Sequence, residues 1–139
     1  MTAHAIIYVS IKLIKMMTVY TKMPKDLRPF YKKELLEANN ALNENKYIES
    51  WRHLERAHIL GQPYPYEHTF VHWKMLRFGI KVKNLKEVIG QIPRLLIGGI
   101  KSFVGHIPVG NTGGANVPPL KPMEVPEDLA AIIDNAKTK

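Results

Sequence analysis

The chain contains no cysteine. Disulfide staples, thiolate metal sites and cysteine nucleophiles are excluded at once, and the absence agrees with a cytoplasmic location. Acids are also scarce: twelve Asp and Glu stand against twenty Lys and Arg, for a net charge of +8. No long hydrophobic run exists. The apolar stretch at 5–9 breaks at Ser10, Lys12 and Lys15, and RLLIGGIKSFV at 94–104 is interrupted by Gly98-Gly99. A span of the bilayer takes about 20 apolar residues, so the chain reads as not transmembrane. A convincing signal peptide is missing too. Neither H-E-x-x-H nor C-x-x-C occurs. Asn111-Thr112-Gly113-Gly114 lacks both the Gly-Lys-Ser/Thr ending and the preceding strand of a phosphate loop. With no helix-turn-helix or zinc-finger motif, nucleic acid is not an expected partner.

What is present suffices for one domain with one modest core: 139 residues, 45% of them hydrophobic. The charge is unevenly spread. Residues 1–33 carry seven bases and one acid, 34–72 carry three bases and six acids, and 73–104 return to seven bases and one acid. The acid-rich middle favours cation binding, while the basic flanks suit an anionic surface or remain solvated faces.

Residues 1–23 form a leader with a broken pattern and methionines at 16, 17 and 23, expected to be disordered or an over-extended start. The helical domain is expected over 24–104. Its first helix opens at Asp26 as N-cap with Pro29 in the first turn, and Asn43-Glu44-Asn45 turns the chain. A second helix covers about 46–60 and a third about 65–78, ended by Gly79. Asn84 caps a fourth, which Pro93 should kink or divide. Trp51 and Trp73 are expected in the core of adjacent helices. Residues 105–125 hold a Pro/Gly-rich strap, and 126–139 a short C-terminal helix and tail. The fold class is therefore all-α: a small antiparallel helical bundle with a tetratricopeptide-like hairpin and a C-terminal strap. The 34-residue period of an array is not repeated.

Chemistry concentrates in WRHLERAHILGQPYPYEHTFVH, residues 51–72, which holds four of the six histidines. Glu55 and His58 are three apart; His68 and His72 are four apart. On a helix each pair shares a side, and the Gly/Pro turn at 61–65 folds the two helices together. On a helical wheel Tyr47, Trp51, Leu54 and His58 fall within roughly 40° of one line, whereas His53 points away. Glu55, His58, His68 and His72 are thus candidate ligands for one divalent transition metal: zinc, iron or copper. Affinity for it should fall below about pH 6 as ordinary imidazoles protonate. His106 and Glu67 are further residues within reach. The same residues also fit a structural polar network in a helical protein-interaction module that binds no metal.

Four segments, LRPFY, WRHLERAHILGQ, HTFVHWKML and GHIPVGNTGGANV, together resemble a small bacterial family defined as a domain of unknown function. The resemblance runs from about Leu27 to Met123 and leaves the leader outside. It implies a small helical bacterial protein with no assigned activity, of a kind that occurs alongside metal-resistance genes. No catalytic residue carries over from it. The expected function is metal binding through the His/Glu cluster in metal handling or resistance, with the interaction module as the alternative.

Overall fold

Three residues are all that separate each of the first four helices from the next: α1 (Arg28–Asn43), α2 (Tyr47–Gly61), α3 (Pro65–Lys81) and α4 (Leu85–Phe103). Connections this short force consecutive helices to run antiparallel and side by side. A last helix, α5 (Glu127–Lys137), follows a long loop. The structure, a computed structural model, describes residues 22–103 and 108–137. Most of the expected leader lies outside that range, as does His106. Among the described residues there is no strand, and no helix is long and apolar enough to cross a membrane.

Two of the turns are built alike. Asn45 (φ 59°) and Lys83 (φ 56°) take the left-handed conformation. The next residue's amide then reaches back five positions, Lys46 N to Ala41 O at 2.8 Å and Asn84 N to Gly79 O at 2.9 Å. This is the Schellman way of satisfying the last carbonyls of a helix. Asn84 then caps α4 as expected, its Oδ1 accepting from the Glu87 amide at 3.1 Å.

Two apolar clusters hold the helices together. One gathers Leu27 and Tyr31 with Ala57, Leu60, Val71 and Leu129; the other gathers Ala38, Leu54, Met75 and Phe78. Met23, the last residue of the expected leader, is buried in the first. Small residues let α1 and α2 approach: the Ser50 hydroxyl donates to Ala38 O at 2.7 Å, and both residues are buried. Arg56 ties three helices, bonding Glu34 of α1 at 2.8 Å and Asp128 of α5 at 2.5 Å.

Several expectations are corrected. Leu27, not Asp26, occupies the N-cap of α1, with no side-chain cap bond. Gly79 does not end α3, which continues to Lys81. A Cβ there would come 3.2–3.3 Å from Val88 and Glu87, so glycine serves to bring α3 and α4 close. Pro93 does not divide α4. It lies on the exposed side, where the one backbone hydrogen bond it removes, to the Ile89 carbonyl, is cheapest to lose. Trp73 is half-exposed at 46% and not a core residue; Trp51 packs at the edge of the second cluster and against Phe78.

Candidate metal centre

From the turn after Gly61, α2 and α3 run side by side, and their inward histidines meet. His58, His68 and His72 are all buried. Their Nε2 atoms form a triangle with edges of 3.0 Å (His58–His68), 3.1 Å (His68–His72) and 3.2 Å (His58–His72). They are the group of side chains among the described residues able to share a metal ion.

The protons of this triangle are fixed by its surroundings. His58 Nδ1 lies 2.8 Å from the backbone carbonyl of Asn111. A carbonyl only accepts, so Nδ1 donates and Nε2 of the neutral ring carries a bare lone pair. His72 Nδ1 lies 2.7 Å from Gln91 Oε1. The Gln91 amide cannot be turned round, because its Nε2 donates to Glu87 Oε1 at 2.5 Å and to Gly113 O at 2.9 Å. His72 Nδ1 therefore donates too, and its Nε2 is also bare. The 3.2 Å contact between His58 and His72 is acceptor against acceptor. A proton on His68 Nε2 is able to serve those two atoms, but none lies between them.

Protonating a ring to relieve this contact is opposed. Burial, followed by the neighbouring histidines, holds His58 well below the usual imidazole range. Burial and then His68 hold His72 down to about 3. His58 and His72 are neutral at pH 7 and present bare Nε2 lone pairs to a common point, which is the state metal ligation requires. Ligands about 2.0–2.1 Å from a tetrahedral zinc ion stand roughly 3.3 Å from one another. The observed edges differ from that by a few tenths of an ångström, so the donor set fits a first-row transition ion in size and in chemistry.

A second layer holds the rings. Glu87, buried on α4, accepts from Gln91 and also from the Ala115 amide at 3.1 Å. The chain Glu87–Gln91–His72 thus orients one ring through an amide. The loop at 108–118 orients the other. Asn111 supplies the carbonyl to His58, and its own side chain pins the loop by donating to Pro118 O and Lys121 O. Gly113 (φ 82°) lies against the His58 ring so closely that a Cβ would stand 2.6 Å from Cδ2. Outer-layer hydrogen bonds of this kind fix tautomer and ring orientation in metal sites.

The neighbouring acidic and histidine side chains lie elsewhere. Glu55 is not in the triangle: its carboxylate is hydrogen-bonded by the side chains of Trp51 and Thr112, and burial pushes its pKa upward. Glu67 is buried, and its backbone carbonyl accepts the Tyr31 hydroxyl at 2.9 Å. His53 points away from the cluster, as the wheel indicates, and pairs with Glu34 at 2.6 Å.

Residues 25–133 match the family model DUF3703, proteins of unknown function. The chain belongs to this family. No curated protein and no solved structure matches it. The family covers both histidine-bearing helices, the α4 residues behind them and the covering loop. Sequence reasoning missed Glu87, Gln91 and Asn111 as parts of the site. A signal for the first two was present: they are two polar side chains four apart, on one side of a helix rich in large aliphatic residues.

Proposed function

We propose that the protein binds one divalent transition metal (zinc, iron or copper) through His58, His68 and His72, and serves in metal handling in the cytoplasm. The observation that carries this reading is the acceptor-to-acceptor contact of His58 and His72. Two neutral, buried imidazoles are aimed at each other with their Nδ1 protons already committed, an arrangement that a cation completes. Glu55 is left out of the ligand set because Trp51 and Thr112 occupy its carboxylate. Bound there, an ion would supply Lewis acidity and would tie α2 to α3. The chain's own part is to hold the rings neutral, orient them through Asn111 and Gln91, and exclude water by the loop.

The test is calorimetric titration of zinc, ferrous iron and copper into metal-free protein purified without an affinity tag. One ion per chain should bind more tightly than about 10 μM. His58→Ala combined with His72→Ala should abolish binding, and His53→Ala should leave it intact. If no ion binds, or the double variant binds like the parent, the triangle is a structural polar network and the interaction-module reading replaces this one.

A further inference from the structure

Helix α4 is amphipathic the wrong way round. Its inner side is polar, with Glu87 7% and Gln91 0% exposed. Its outer side carries Leu85, Ile89, Ile92 and Leu96, exposed at 69%, 60%, 49% and 73%. Spacings of four, three and four place these side chains on one line along the helix, about 16 Å long at 1.5 Å per residue. The histidine site explains the polar side, because Glu87 and Gln91 anchor the helix by hydrogen bonds. It leaves the apolar side without a function among the described residues. A continuous stripe of large aliphatic side chains differs from the scattered exposed leucine that any surface shows.

The charges around the stripe select its partner. Between residues 80 and 97 the exposed bases are Lys81, Lys83 and Lys86, at the start of the stripe; Arg94 is turned to the loop, donating to Gly90 O and Val117 O, and the single acid, Glu87, is buried behind the helix. Pairing two copies in parallel through this face would set like charge against like, and an antiparallel pair would offer these lysines no opposing acid from residues 80–97. The side chains stand proud of a convex helix, so a protein partner would have to bring its own groove. An anionic bilayer needs none: its headgroup region receives an apolar ridge and its charge answers the flanking bases. We propose that the 85–96 face of α4 docks on the surface of a membrane rich in anionic lipid, lying in its interface. The proposal is independent of whether the histidine triangle holds a metal.

The test is sedimentation of the full chain with vesicles of phosphatidylcholine alone, or of equal parts phosphatidylcholine and phosphatidylglycerol. The chain should sediment with the anionic vesicles and stay in solution with the neutral ones, and added salt should weaken binding. Ile89→Ser combined with Leu96→Ser should weaken binding by about tenfold or more. Both positions are exposed, so circular dichroism should show the parent's helicity. Lys86→Glu should weaken it as well. Three outcomes each overturn the proposal: no binding to anionic vesicles, binding that the double serine variant leaves unchanged, or a dimer that this variant dissolves, which would assign the stripe to a second copy.

Discussion

His58 and His72 face each other acceptor to acceptor, Nε2 to Nε2 at 3.2 Å. Neither ring came to this contact by its own preference. The loop carbonyl of Asn111 holds one and the Gln91 amide holds the other. Low dielectric magnifies a mismatched buried contact as much as a matched one, so the framework around the triangle stores an arrangement suited to a cation. The consequences are open to measurement.

Gln91→Leu removes the acceptor of the His72 Nδ1 proton and the donor to Glu87 and to Gly113 O. Metal affinity should fall about 10–100-fold, the usual effect of losing an outer-layer partner. Stability should fall by about 1–3 kcal/mol for the buried groups left unpaired. Calorimetry and thermal unfolding read the two separately. Unchanged affinity with reduced stability would make Gln91 a structural residue only.

Stability of the metal-free protein should depend on His58 and His72. Their folded pKa values lie below the unfolded value near 6.5, so the folded state binds fewer protons as the pH falls below that value. Stability from this source is full above about pH 6.5. It is lost as the pH drops toward about 3 for His72, at up to about 1.4 kcal/mol per pH unit per histidine. Asp128, held below the ordinary carboxylate range by Arg56, titrates in more acid solution; Glu55, raised by burial, acts in the opposite sense to the histidines, so the slope is best read in a Glu55→Gln background. Urea unfolding between pH 7 and 5 should show the slope; a flat profile contradicts it. The same neutrality amends the expectation that metal affinity declines below about pH 6. His58 and His72 have no protons to release there, so calorimetry in buffers of different ionisation enthalpy should find little proton release from them at pH 6.

Gly113→Ala tests the loop's close approach. A side chain there meets both an unfavourable φ of 82° and the His58 ring. The change should cost on the order of 1–3 kcal/mol and weaken metal binding along with it, because His58 must move. Thermal unfolding with and without zinc checks both. A variant as stable as the parent, with the parent's affinity, would show that the loop does not press on the ring.

Much of this was legible in the sequence because it is local. Gly61, Pro63 and Pro65 announce the turn between α2 and α3, and helical spacing aims His58, His68 and His72 together. Spacing also excluded His53. What escaped depends on contacts between distant parts of the chain. Glu55 has the right spacing from His58, but Thr112, which helps to occupy it, arrives 57 residues later. Trp73 is expected in the core with Trp51, but composition does not say which side of α3 faces outward. Gly79 reads equally as a helix end or as a close-packing site until Val88 is known to lie against it. The inverted polarity of α4 makes sense only once its polar side is known to meet the histidines.

The most direct measurement is X-ray absorption at the zinc edge of protein loaded with one equivalent of zinc. The account predicts three imidazole nitrogens at about 2.0–2.1 Å, with the multiple scattering of histidine rings, and loss of that pattern in the His58→Ala, His72→Ala variant. A spectrum dominated by oxygen, or one the double variant reproduces, would contradict it.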